Sequence, residues 1–177
     1  MKCGYVHVYT GDGKGKTTAA LGLCLRALGA GLSVYLGQFI KGMKYSEILI
    51  LEKLSSILGA DRLFVEQYGR GCFIQREPEP EDMVAAALGM GKAMTAMLSG
   101  KFDIVILDEI CVASRYGIVT AEDLNAILDQ RPAKVELILT GRYAPDFLID
   151  RADLVTEMRE IRHYYKKGVK SRRGIER

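Results

Sequence analysis

Val6-His7-Val8-Tyr9-Thr10-Gly11-Asp12-Gly13-Lys14-Gly15-Lys16-Thr17-Thr18-Ala19-Ala20 holds the first structural signal in the chain. Its opening residues alternate like a strand, its last residues begin an apolar helix, and glycines fill the turn between. Glycine lets the backbone curl until successive amide N–H groups converge on one anion. The helix N-terminus that follows adds a dipole favouring negative charge. Lys16 would reach the outer phosphates of a nucleotide, and the Thr17 hydroxyl would ligate Mg²⁺. The general pattern is G-x-x-x-x-G-K-[ST], and here Thr10 takes the place of its first glycine. The competing reading is a glycine-rich turn with an incidental lysine.

A second segment bears on that choice. Ile104-Val105-Ile106-Leu107-Asp108-Glu109 is a continuous apolar run, as expected for a strand covered on both faces, ending in two carboxylates. Charge at a strand's C-terminal end lies in the crevice where α/β sheets bind ligands. An aspartate there commonly holds Mg²⁺ beside a phosphate loop. Alone, the acidic pair can simply begin a solvated loop. Together the segments predict an ATP site on Thr10, Gly11, Asp12, Gly13, Lys14, Gly15, Lys16, Thr17 and Thr18. Thr17, Asp108 and Glu109 are the candidate ligands of Mg²⁺, or of Mn²⁺ in its place. Mg²⁺ keeps several waters, so a hydroxyl and one or both carboxylates suffice.

Strand and helix patterns alternate along the rest of the chain. The first strand is expected over about 3–9 and the first helix over 16–28, with Gly29 and Gly31 as stop signals. A second apolar strand covers 33–39. Ser46 is placed to cap a helix carrying Ile48, Leu49, Leu51, Leu54 and Leu58, and a short β-like run follows at 63–65. Pro78, Pro80 and the acids around them suit a helix's first turn. That helix runs to about Ser99, with Met83, Ala87, Met90, Met94 and Met97 at helical spacing, read as core rather than cofactor groove. Gly89 and Gly91 within it imply close packing against a neighbour. Thr120-x-x-Asp123 begins a helix that ends before Pro132. Residues 135–139 read as a buried strand, and 152–158 contain a last short one. The expected fold is therefore α/β, P-loop NTPase-like and RecA-like, a single domain over 1–177. Its sheet is mostly parallel with helices on both faces, in a strand order the pattern does not specify.

Composition narrows the setting. No apolar run approaches the roughly 20 residues needed to span a bilayer. Met1-Lys2-Cys3-Gly4-Tyr5 enters the first strand without an apolar leader, so a cytoplasmic location is expected. Cys3, Cys24, Cys72 and Cys111 form no C-x-x-C pair and read as reduced thiols rather than a metal cluster. The net charge of +3 hides a basic tail: residues 159–177 hold eight Lys/Arg against Glu160 and Glu176. A basic tail can bind nucleic acid, but its aromatics are only the adjacent Tyr164 and Tyr165. The favoured reading is a tail folded over a site for polyanions.

These patterns supply no reaction. An activated nucleophile is not evident, His7 falls inside the first strand, and His163 adjoins the basic tail. Spacing alone leaves hydrolase, kinase and transferase open.

Over nearly its whole length the chain resembles the P-loop type of ATP:corrinoid adenosyltransferases. The resemblance rests on residues 10–20, on Gln38-Phe39-Ile40-Lys41-Gly42, and on Val105-Ile106-Leu107-Asp108-Glu109-Ile110. Leu139-Thr140-Gly141-Arg142-Tyr143-Ala144-Pro145 and Ala152-Asp153-Leu154-Val155-Thr156-Glu157-Met158 complete it. The phosphate loop recurs in many families, whereas the Gln-Phe-Ile-Lys-Gly, Thr-Gly-Arg and Ala-Asp-Leu-Val stretches in this order are far more specific.

The resemblance implies transfer of the 5′-deoxyadenosyl group of ATP to a cobalt(I) corrinoid, with triphosphate released. Reduced cobalt is itself the nucleophile, so no protein base is required. It implies a nucleotide bound in reversed orientation, with Lys16, Thr17 and Glu109 as the catalytic set. Lys16 goes to the triphosphate, Thr17 and Glu109, with Asp108, to the metal, Arg142 near the nucleotide, and Gln38 and Lys41 beside them. The implied partners are ATP and a reduced corrinoid, together with an electron-donating flavoprotein and a second copy in a homodimer. Membrane and nucleic acid are not among them.

Three departures stand out. Many members carry a segment before the first strand that covers the site, and Met1-Lys2-Cys3 leads directly into the strand here. Gly71-Cys72-Phe73-Ile74 replaces a Gly-Phe-Thr-Trp stretch near the corrinoid. The ending His163-Tyr164-Tyr165-Lys166-Lys167-Gly168-Val169-Lys170-Ser171-Arg172-Arg173-Gly174-Ile175-Glu176 keeps the family's frame without its Pro, Phe and Ala-Gln. The competing classes are a P-loop ATPase and a nucleotide-dependent nucleic-acid-binding module.

Overall fold

The computed structural model describes residues 2–71 and 77–177. In chain order the elements are β1 (Val6–Thr10), α1 (Lys16–Gly29), β2 (Val34–Lys41), α2 (Ser46–Leu58), β3 (Leu63–Gly71), α3 (Pro80–Leu98) and β4 (Ile104–Asp108). They continue as α4 (Ile110–Arg115), α5 (Ala121–Gln130), β5 (Glu136–Thr140), α6 (Asp146–Arg151), β6 (Leu154–Glu157) and a 3₁₀ turn at Tyr164–Lys167.

The strands form one sheet in the order β3-β2-β4-β5-β1-β6, and every pairing is parallel. From β1 the chain steps one way to β2 and β3, then reverses through β4, β5 and β6. Right-handed crossovers place helices from the two directions on opposite faces. Ala20, Cys24 and Ala27 of α1 and Leu51 of α2 accordingly pack on Val34, Leu36, Ile104, Ile106 and Ile138. On the other face Ala93, Met97, Leu124, Ile127 and Leu148, from α3, α5 and α6, pack with Tyr35, Val105, Leu107, Leu137 and Leu139. This alternation of β4 residues between two cores is why its sequence reads as one unbroken apolar run.

Several local expectations are met. Thr120 and Asp123 exchange hydrogen bonds of 3.1 and 3.0 Å at the start of α5. Pro80 opens α3, where Glu79 and Asp82 form the same reciprocal cap. A Cβ on Gly89 would lie 2.6 Å from the Tyr68 ring, so α3 approaches β3 through that glycine.

Others are corrected. Ser46 is the first helical residue rather than the cap, which falls on Tyr45, and its hydroxyl instead donates to the Arg177 carbonyl at 3.0 Å. Gly91 faces open space, so close packing does not explain it. Met90 and Met97 are core, but Met83 is 46 % exposed and Ala87 is exposed too, so the stripe is buried only in its later turns. Strand β3 extends to nine residues because its polar half pairs with β2. Helices α4 and α6 have six residues each, too few to reveal a helical period in sequence. Cys24 and Cys111 are buried and Cys3 exposed. Cys72, Phe73 and Ile74 lie outside the described residues. Among the described residues, no helix is long and apolar enough to cross a membrane.

Candidate nucleotide and metal site

The two sequence signals meet at the C-terminal edge of the sheet. The loop after β1 curls because Gly11 and Gly15 adopt φ of 95° and 124°, which other residues rarely tolerate. Its outer wall is the end of β6: Gly13 N–H donates to the Met158 carbonyl at 2.6 Å, and a Cβ on Gly13 would lie 2.6 Å from that oxygen. Thr10, in place of the usual glycine, accepts a 3.3 Å hydrogen bond from Ala144 N–H through its hydroxyl. That bond ties the loop to the segment following β5.

Lys16 is 7 % exposed, and its ammonium donates to the carbonyls of Gly11 and Gly13 at 2.5 and 2.8 Å. Burial and the nearby Arg142 guanidinium lower its pKa, outweighing Glu109, Asp12 and Asp108. Arg142 itself donates to the Asp12 carbonyl at 3.2 Å. Thr18 and the Asp12 side chain are exposed.

Asp108 is the hub. Its Oδ1 accepts from the hydroxyls of Thr17, at 2.9 Å, and Thr140, at 2.6 Å. Its Oδ2 accepts from Gln38 Nε2 at 2.9 Å and lies 3.5 Å from Lys41 Nζ. Burial alone would raise the pKa of this carboxyl. Lys41 and the hydrogen bonds from Thr140, Gln38 and Thr17 overcome it and hold the group below the usual carboxylate range.

Lys41 reaches Asp108 through an irregularity. Gln38 and Lys41 are three residues apart, so in a regular strand they would face opposite sides. The register of β2 on β3 shifts between Phe39 and Lys41, and Ile40 takes φ 68°, an outlier for a β-branched residue. The kink brings both side chains onto one carboxylate. It is possible only because Gly69 faces it: a Cβ there would lie 2.3 Å from the Ile40 carbonyl.

Glu109 also sits at positive φ, 61°, as the residue before α4. Its N–H donates to Thr140 Oγ1 at 3.0 Å, and its carboxylate lies 3.4 Å from Lys41 Nζ. Burial and the adjacent Asp108 raise its pKa, against the pull of Lys41 and Lys16. Lys41, faced by both carboxylates, is raised in spite of burial.

The fold thus gathers Thr17, Gln38, Lys41, Asp108 and Glu109, with Lys16 and Arg142 bracing the loop alongside. Sequence reading overlooked Thr140, although its place at the end of β5, next to β4, marks it by the same strand-end rule that found Asp108. Both histidines are occupied elsewhere. His7 pairs with Glu136 at 2.6 Å, and His163 Nδ1 accepts the Tyr165 N–H at 3.1 Å to cap the 3₁₀ turn.

Lys14 faces the tail rather than the carboxylates. Its ammonium donates to the Ile175 carbonyl at 2.7 Å and to Glu176 at 3.1 Å. Glu176 is held in turn by Tyr164 and Arg172, and the Arg172 guanidinium lies 4.8 Å over the Tyr164 ring. With Arg177 bonded to Ser46, the tail spans from the loop to the start of α2.

A divalent cation suits the donor set. Among the described residues no three His, Cys, Asp or Glu side chains are grouped to hold a metal by themselves. Thr17 and Asp108 nevertheless offer hard oxygens 2.9 Å apart beside a phosphate loop, the few-ligand arrangement that Mg²⁺ accepts.

The family model for ATP:corrinoid adenosyltransferase BtuR/CobO/CobP matches residues 2–177. A corrinoid adenosyltransferase of Sinorhizobium sp is 34% identical over 175 residues, covering 98% of this chain and 80% of that protein. The corrinoid adenosyltransferase CobA of Salmonella typhimurium is 32% identical, with 98% of this chain and 85% of the relative covered. A corrinoid adenosyltransferase of Pseudomonas aeruginosa is 31% identical over 98% of this chain and 83% of its own length.

Proposed function

Because the chain belongs to the ATP:corrinoid adenosyltransferase family, we propose that it transfers the 5′-deoxyadenosyl group of ATP to a cobalt(I) corrinoid and releases triphosphate. One observation supports the residue assignments above all others. The 2.9 Å contact of Thr17 with Asp108 joins the phosphate loop to the carboxylate strand.

In this reaction the cobalt(I) electron pair attacks C5′, the cobalt–carbon bond forms, and the C5′–O bond breaks with its electrons leaving on triphosphate. No proton is removed from the nucleophile, so a site without a free base is adequate. What the chain must supply is positive charge and N–H donors where the leaving polyanion gathers charge. Lys16, Arg142 and the loop amides are placed for that role. Lys41 balances the two carboxylates from 3.5 and 3.4 Å. Mg²⁺, or Mn²⁺ in its place, would be held by Thr17 and Asp108 with Glu109, and would neutralise phosphate charge as a Lewis acid. The proposal extends to a cytoplasmic setting, a flavoprotein as electron source and a homodimer. Cobalt(I) formation with purified flavoproteins and light scattering test the last two.

Glu109→Gln is expected to raise the Mg²⁺ concentration for half-maximal activity by about 10-fold, with little change in KM for the corrinoid. A titration of rate against Mg²⁺ checks this, and an unchanged midpoint leaves Asp108 as the metal's carboxylate.

Deleting residues 164–177 is expected to raise KM for ATP several-fold while unfolding stays cooperative. The tail supplies no member of the buried core, yet it holds Lys14 through Ile175 and Glu176. Thermal denaturation and KM together check it: lost cooperativity makes the tail structural, and an unchanged KM makes it dispensable.

A further inference from the structure

Asp108 stands at the end of a row that crosses three neighbouring strands. Gln67 of β3 is the register partner of Gln38 on β2, and Gln38 is the register partner of Asp108 on β4. Residues paired in this way present their side chains on the same face of the sheet. The row is closed by hydrogen bonds. Gln67 Nε2 donates to Gln38 Oε1 at 2.7 Å, and Gln38 Nε2 donates to Asp108 Oδ2 at 2.9 Å.

The chemistry of the groups fixes the direction of this chain. An ionised carboxylate only accepts, so Gln38 must turn its NH₂ toward Asp108 and its carbonyl toward Gln67. Gln67 must then donate. It also donates to the Met43 carbonyl at 3.1 Å, in the loop between β2 and α2. A Gln38 amide turned the other way would set its oxygen against the carboxylate, and Gln38 is too buried, at 1 % exposure, for water to repair the mismatch. With Gln38 and Lys41 both on Oδ2, Oδ1 is left to Thr17 and Thr140 on the side of the phosphate loop.

We propose that Gln67 is a positioning residue for the reaction, acting through Gln38 to hold the Asp108 carboxylate with Oδ1 toward Thr17. The proposal rests on Asp108 as a metal ligand, and the experiment separates the two claims. Mn²⁺ affinity is measured by electron paramagnetic resonance on the ATP-loaded protein. The variants are Gln67→Met, Gln38→Met, the double variant and Asp108→Asn, with Tm recorded for each. Gln38→Met is expected to weaken Mn²⁺ binding by about 10-fold or more, as for partners that orient metal ligands. Gln67→Met is expected to weaken it about 5-fold, the scale of one neutral hydrogen bond. The same change made in Gln38→Met protein should add nothing, because its only route to the carboxylate is already cut. An equal loss in both backgrounds, or no loss in the parent protein, overturns the relay. If Gln67→Met does not fold, Gln67→Asn replaces it in the cycle; one methylene shorter, it keeps an amide but not the 2.7 Å reach. Unchanged Mn²⁺ affinity in Asp108→Asn overturns the metal assignment and the relay with it. A strong Asp108→Asn effect beside an additive cycle overturns the relay alone.

Discussion

Lys16→Ala is expected to lower kcat/KM for ATP by about 10²- to 10³-fold, about 2.7–4 kcal/mol of transition-state stabilisation, the scale for removing one preorganised donor from developing negative charge. The leaving triphosphate gains charge as the C5′–O bond breaks, and Lys16 is the buried cation of the phosphate loop. It also braces that loop from within, through the Gly11 and Gly13 carbonyls. The alanine variant therefore loses both the charge and the clasp, and ATP affinity should fall along with kcat. Steady-state kinetics and equilibrium nucleotide binding check the two parts separately. Unchanged values in both would remove the loop from the phosphate site.

Asp108→Asn is expected to reduce activity by about 10²-fold and to lower stability by about 3 kcal/mol, a Tm loss of about 6–12 °C at this size. Oδ1 of Asp108 accepts from two hydroxyls, and Oδ2 accepts from Gln38 with the Lys41 ammonium 3.5 Å away. An amide must set its NH₂ against one of those pairs. Facing Gln38 and Lys41 it meets an ammonium that cannot accept and an amide that accepts only by turning over, which sets the Gln38 NH₂ against that of Gln67. Facing Thr17 and Thr140 it makes the hydroxyls accept, although Thr140 already accepts from the Glu109 N–H. Lys41 meanwhile loses one of its two counter-ions but keeps Glu109 at 3.4 Å, which places the stability cost at the low end for a broken buried pair. Calorimetry and a Mg²⁺ titration check the two effects. An unaltered metal requirement would place the cation elsewhere.

The loop and the carboxylate strand were legible in the sequence because each couples a change of periodicity to residues with few other uses there. A strand running into glycines and then Lys-Thr, and an apolar run closing on two acids, are local patterns with local causes. Gln38, Lys41 and Arg142 enter the sequence reading only through the family resemblance, and Thr140 and Gln67 not at all, because the causes that bring them to the site are not local. Lys41 joins Gln38 on Asp108 only through Ile40, whose φ of 68° opposes its own side-chain preference. Gly69, which makes room for that kink, lies on another strand. Gln67 belongs to the polar half of β3, where the run 66–70 lacks the apolar alternation that marks a strand, so the sequence pattern stops at 65 while the strand runs on to Gly71. Thr140 reads as an ordinary β-former until β5 is known to lie beside β4. The tail does reach the phosphate loop. Its anchor there is nevertheless the acid Glu176 on Lys14, a detail that net charge conceals.

The central claim is that the bond broken is C5′–O, not a phosphoanhydride. The most direct measurement mixes the protein with ATP, Mg²⁺ and a chemically reduced corrinoid, and counts both products. The account predicts one triphosphate for each new cobalt–carbon bond, a product bond destroyed by light, and no turnover when the reductant is withheld. Formation of ADP or orthophosphate, or ATP consumption at full rate without corrinoid, would contradict it.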